Sequence, residues 1–187
     1  MKYVEIAKGI PGNRGIVVPV NTLINYIDKE PLYRSVYLYD ESAKEYANKK
    51  GSLRDFFGVR YLDKVPIDID KRDNTDEKTL DILRGTILEL EEADIDCESF
   101  QSYFSGSGYH LILTASLFEF KPGIDLPYIV KQTCKKIFPQ IDSSIYIRTG
   151  IYRVQHTINN KTGLYKIPLT RDEIMNLDAE DILEMAK

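Results

Sequence analysis

The chain is poor in cysteine, with only Cys97 and Cys134 among 187 residues. Two thiols so far apart exclude a disulfide framework and a four-cysteine zinc site, and a reducing compartment is the expectation. No stretch approaches the roughly 18 consecutive apolar residues of a membrane span. The N-terminal segment MKYVEIAKGIPGNRG also lacks the apolar core of a signal peptide. Internal repeats and low-complexity linkers are missing, and 11 Gly with 8 Pro exclude a collagenous or largely disordered chain. The sequence therefore reads as a soluble, cytoplasmic protein with no membrane partner. Its length fits one domain over residues 1–187, at most as two closely packed lobes.

Charge is present but unevenly spread. The formal net charge is -4, which argues against indiscriminate binding to polyanions. Arg72 to Phe100 holds 3 basic and 10 acidic residues, and Asp172 to Lys187 holds 1 basic and 6 acidic. Lys131 to Arg171 reverses this, with 8 basic residues against the single acid Asp142. A cationic stretch inside an acidic chain suits a localised anion site, such as nucleotide phosphates or a nucleic-acid backbone, and equally suits a lysine-solvated helix face.

The hydrophobic pattern alternates short strands with helices. Strands are expected at Arg34–Asp40 and Val65–Asp70, with Pro66 confined to a strand start or an edge. Helices are expected at Glu41–Lys50, stopped by Gly51, and from about Asn74 to Glu92, where Asn74 with Glu77 resembles a capping box. Phe100–Phe104 and Tyr109–Thr114 read as a hairpin closed by a Ser-Gly-Ser-Gly turn. Leu126–Phe138 reads as a helix between Pro127 and Pro139. Further strands are expected at Ser144–Ile147, Ile151–Gln155 and Tyr165–Leu169, then a capping box at Thr170 and Glu173 and a last helix at Ala179–Met185. The class is α/β in the broad sense, α+β by its antiparallel connections.

Three groups of residues could carry chemistry. Asp68 and Asp70 lie two apart on a strand, so both carboxylates share a face with Cα atoms about 7 Å apart. Asp is disfavoured in strands and like charges repel, so a divalent cation would offset the cost. Two solvated aspartates on an exposed edge account for an isolated pair as well. Ser105, Ser107 and Gly108 form a turn whose amides and hydroxyls suit a phosphate, and the turn delivers His110 to the next strand. Ordinary turn chemistry and a structural histidine are the plain alternative. Asp142, followed by Arg148, Arg153, Lys161 and Lys166, is either a charge-pair partner of those cations or the third carboxylate of a metal site.

Taken in order, Pro66–Asp70 (PIDID), Ser105–His110 (SGSGYH), Ile141–Asp142 and Arg153–Leu169 resemble the archaeo-eukaryotic primase superfamily, particularly its primase-polymerase branch. The resemblance covers about Tyr37 to Thr170. It implies a compact primase core of two packed lobes with a mixed, largely antiparallel sheet, RRM-like in its second half. It implies Asp68, Asp70 and Asp142 as catalytic metal ligands for two divalent ions, Mg2+ or Mn2+. Ser105, Ser107, Gly108 and His110 would form the nucleotide-binding hairpin. Arg148, Arg153 and Lys161, with Lys166 as the alternative to Lys161, would grip the triphosphate. The implied reaction is template-directed nucleotidyl transfer that makes or extends primers, with single-stranded DNA and nucleoside triphosphates as partners and a replicative helicase or further replication domain fused or recruited. No cysteine/histidine zinc cluster of the archaeal small-subunit kind is present. A metal-dependent nuclease or phosphodiesterase, and an idle single-stranded nucleic-acid-binding module using Tyr37, Tyr39, Tyr103 and Tyr109 as stacking platforms, are the competing readings.

Overall fold

The computed structural model describes residues 1–28 and 30–187. Two four-stranded sheets make up the β structure. The first is built from β1 (Tyr3–Lys8), β2 (Ile16–Pro19), β3 (Leu32–Ser35) and β7 (Ile151–Arg153), in the order β2-β1-β3-β7. The second is built from β4 (Lys64–Asp70), β5 (Phe100–Phe104), β6 (Gly108–Thr114) and β8 (Ile167–Leu169), in the order β4-β6-β5-β8. Neither sheet is mixed: every pairing between these strands is antiparallel. The final strand pairs with β5 rather than β4, so the second sheet departs from an RRM winding at that strand.

Alternation along the second sheet separates two faces. Val65, Ile67 and Ile69 of β4, with Tyr109, Leu111 and Leu113 of β6, point into the main core. Helix α2 (Asp76–Glu92) covers that face through Leu80, Leu83, Ile87 and Leu90, which recur at helical spacing. Its N-cap is Thr75, whose side chain accepts from the Lys78 amide, and not Asn74 as the sequence suggests. Helices α4 (Arg171–Asn176) and α5 (Ala179–Met185) pack against α2, each opened by a capping box. Lys64, Pro66, Asp68, Asp70, His110, Ile112, Gln101 and Tyr103 are left for the opposite face.

Helix α1 (Glu41–Lys50) is capped by Asp40 and stopped by Gly51 in the left-handed conformation, and α3 (Leu126–Ile137) has Pro127 in its first turn. A smaller apolar cluster of Val4, Ile6, Val18, Leu32, Leu38 and Val154 lies on the first sheet. The expected strand at Ser144–Ile147 is instead a 3-10 turn over Ser143–Ile145. Asp142 causes this locally, because its carboxylate accepts from both the amide and the hydroxyl of Ser144. No helix among the described residues is long and apolar enough to cross a membrane.

Candidate metal centre and its cationic flank

Pro66 has no amide to donate and sits on β4, an outer strand of its sheet. The carbonyls on that outer edge still need partners, and the 142–146 turn supplies them. The Asp142 amide donates to the Asp68 carbonyl at 3.0 Å, and the Tyr146 hydroxyl donates to the Pro66 carbonyl. Docking this turn places Asp142 beside the two strand carboxylates. One carboxylate oxygen from each of Asp68, Asp70 and Asp142 lies within 4.8 Å of the others. Such a set of hard oxygen donors suits a divalent cation.

The electrostatics show what the convergence costs. Burial, then the neighbouring Asp70 and Asp142 charges, push the Asp68 carboxyl from its ordinary 3.8 up to about 7. Asp70 is also raised, by desolvation and by Asp142, while Arg72 and Lys161 oppose the rise. Arg72, a residue the sequence reading assigned to an acidic segment, brings its guanidinium within 3.9 Å of Asp142.

His110 is the register partner of Asp68 across β4 and β6, and its Nε2 stands 3.4 Å from Asp68 Oδ1. Its Nδ1 lies 2.7 Å from Lys166 Nζ. Burial, with Lys166 and Arg153 close by, holds the imidazole pKa well below its usual value. Lys166 is 1% exposed, whereas Lys161, preferred from the sequence, lies exposed in the 159–163 turn. The sequence signal for Lys166 was only its place in the cationic stretch.

Arg153 is 7% exposed, and its Nε has no hydrogen-bond partner. No salt bridge reaches it among the described residues. It lines a cavity of about 370 Å3 between the two sheets, together with Arg34, Lys64, Tyr103, Tyr152 and Lys166. Leu23, Ile24 and Ile27 form an apolar wall of the same cavity. Arg34 is already engaged by a bidentate contact to Asp63, so of the two arginines lining the cavity Arg153 is the one without a salt-bridge partner.

The hairpin turn is fixed by its surroundings. The Ser105 amide donates to the Gly108 carbonyl at 2.8 Å, so it is not free for an anion, and Ser107 is exposed. Gly106 has a φ of +85°, and a Cβ on Gly108 would lie 2.5 Å from the Ile69 carbonyl oxygen. Only glycine lets β6 start this close to β4. Asn159 reaches over from the 159–163 turn toward the Ser105 carbonyl and the Ser107 hydroxyl. Arg148 stands apart from this group, exposed, with its guanidinium 4.1 Å over the ring of Phe57. Of the four tyrosines considered as stacking platforms, all are buried.

A scan against protein-family models and a search of curated proteins return no match to this chain.

Proposed function

We propose that the protein is a template-directed nucleotidyltransferase of primase-polymerase type, acting on single-stranded DNA with nucleoside triphosphates. The observation that carries this reading is the meeting of three carboxylates, from a strand pair and from a turn 72 or more positions later, beside a buried arginine that lacks an anion. The reading also rests on the resemblance of the ordered motifs to the archaeo-eukaryotic primase superfamily. A nuclease would share the carboxylates, but the unpartnered Arg153 favours a polyphosphate ligand that is held rather than only cut.

Asp68, Asp70 and Asp142 would hold Mg2+ or Mn2+, which when bound supplies activation of a 3′-hydroxyl and neutralises charge on the phosphate under attack. Arg153 binds phosphate oxygens through its planar fork. His110 presents Nε2 on the carboxylate side, where it can donate to a phosphate oxygen. Together these groups orient the triphosphate against the attacking hydroxyl, and positioning of that kind is a large part of phosphoryl-transfer catalysis. Lys161 and Arg72 are exposed cations near Asp70.

The test is incorporation of labelled nucleotide on a primed and an unprimed single-stranded DNA, with Mg2+ or Mn2+ supplied. Lengthened or newly made strands are expected. Release of shortened template would instead assign a hydrolase, and template binding without turnover would assign a binding module.

A further inference from the structure

The buried tyrosines cannot stack on an unpaired base, but another aromatic ring is free to do so. Phe57 is 70% exposed, the one exposed phenylalanine among the described residues. A single exposed apolar side chain is ordinary. What sets Phe57 apart is how its backbone is held. The Arg60 guanidinium, 1% exposed, donates to the Gly58 carbonyl at 2.5 Å and to the Phe56 carbonyl at 2.8 Å, so it grips the main chain on both sides of Phe57. Its Nε has no hydrogen-bond partner, and a guanidinium buried against carbonyls is a costly anchor. Phe56 goes into the main core, and Phe57 is turned outward. The second member is fixed as firmly. Arg148 holds its guanidinium 4.1 Å from the centroid of the Phe57 ring and comes from the 147–150 turn. There the Gly150 amide donates to the Ile147 carbonyl at 2.9 Å, the Val36 amide to the Gly150 carbonyl at 2.9 Å, and Arg14 to the Thr149 carbonyl at 2.7 Å. A Cβ on Gly150 would lie 1.6 Å from the Ile145 carbonyl oxygen, so the turn requires glycine.

We propose that Phe57 and Arg148 form a stacking platform for an unpaired base of a single-stranded nucleic acid, with Arg148 also meeting a backbone phosphate. A guanidinium stacked on a phenyl ring keeps its N–H donors in its own plane, so it can bond a phosphate while its flat face lies against a ring. The π-face of any base extends such a stack without regard to sequence. Arg54 and Asp55, exposed in the same loop as Phe57, offset each other and leave Arg148 as the net charge of the patch. A protein partner would use the same residue types. Position favours the nucleic acid. Arg148 lies six positions after Asp142 and two after Tyr146, whose hydroxyl is bonded to the Pro66 carbonyl of β4. Two residues of chain span at most about 7 Å, so the root of Arg148 is anchored to the turn that carries the third carboxylate. Arg72, exposed and 3.9 Å from Asp142, adds a second cation at that turn. That the strand is a polymerase template rests on the proposed function; the platform itself does not.

The test is fluorescence anisotropy of a labelled oligo(dT) over a range of salt concentrations, without metal or nucleotide. The wild-type protein should bind, and Phe57→Ala should weaken binding by about five- to 150-fold with the salt slope unchanged, the loss of one base stack. Phe57→Tyr keeps the ring and should keep the affinity. Arg148→Ala should weaken binding and lower the slope of log K against log salt by about 0.7, one phosphate contact on a single strand. Both side chains are exposed, so the melting temperature should hold in every variant. No binding by the wild type overturns the proposal. Unchanged affinity in both alanine variants overturns it too and assigns the patch to a protein partner, and equal losses in Phe57→Ala and Phe57→Tyr exclude stacking. Binding as expected with no nucleotide incorporation by the wild type would leave the platform standing and remove the polymerase reading. Incorporation by the wild type with unchanged binding by both alanine variants would do the reverse.

Discussion

At the scale of single residues, the site is a set of charges that fold into unfavourable company. Asp68→Asn or Asp70→Asn should reduce nucleotide incorporation to background while the melting temperature holds or rises, because each change removes both a donor for the cation and a like-charge repulsion. The pH dependence has a definite sign. The folded-state pKa of Asp68, about 7, lies above its ordinary 3.8, so between those values the folded protein binds more protons than the unfolded chain. Its contribution to stability is therefore fully present below about pH 4 and is lost as pH rises through 7. His110 is shifted the other way and contributes the opposite slope below its ordinary value, so the difference between wild type and Asp68→Asn in chemical denaturation is the measurement that isolates Asp68. Arg153→Ala should raise the nucleotide KM by roughly ten- to 150-fold, equivalent to about 1.5–3 kcal/mol for a charge-assisted contact, with little change in template affinity. A nucleotide titration and a salt-dependent template titration on the same variant check this. Movement of the template curve alone would make Arg153 part of a nucleic-acid track.

At the scale of elements, the 142–146 turn is what converts a strand pair of aspartates into a three-carboxylate cluster. Tyr146→Phe leaves the buried Pro66 carbonyl without its donor, which should cost about 1–3 kcal/mol. It should also weaken metal binding, measured by titration with Mn2+, by loosening Asp142 while leaving every carboxylate in place. This turn is also where the sequence was least readable. Ile145, Tyr146 and Ile147 alternate like a strand, but Asp142 bonds to Ser144 and the turn docks on an edge that only the tertiary structure provides. Strand β4 was legible because Val65, Ile67 and Ile69 alternate with Asp68 and Asp70, and β5 and β6 because a Ser-Gly-Ser-Gly turn separates two β-prone runs. Strand β1 was not, because Tyr3 through Ala7 are all buried, including Glu5, which is paired with Arg14. The expected strand at Arg34–Asp40 ends at Ser35, whose hydroxyl accepts from the Glu5 amide and donates to the Tyr37 carbonyl. At the site, the carboxylates could be singled out because aspartate is rare in strands. Lys166 could not be ranked above Lys161, since burial of a lysine depends on partners that lie 13 and 56 positions away.

At the scale of the whole molecule, Arg34, Lys64, Arg153 and Lys166 line a cavity between the two sheets, while the three carboxylates gather on β4 and the 142–146 turn. A divalent ion binds only the deprotonated cluster, so added Mg2+ or Mn2+ should raise the melting temperature more at pH 8 than at pH 5. Equal gains at both pH values would place the ion elsewhere. The docking of Asp142 on the Asp68 carbonyl has a further consequence for how the protein is made. Asp68 and Asp142 are separated in the chain by α2, the β5–β6 hairpin and α3, so the cluster cannot exist while that intervening chain is still being synthesised. A nascent chain halted before the 142–146 turn carries only two of the three carboxylates, on a strand edge that the turn has not yet covered. Under the proposed metal-binding role, the complete set of ligands would exist only once this segment has been synthesised and docked.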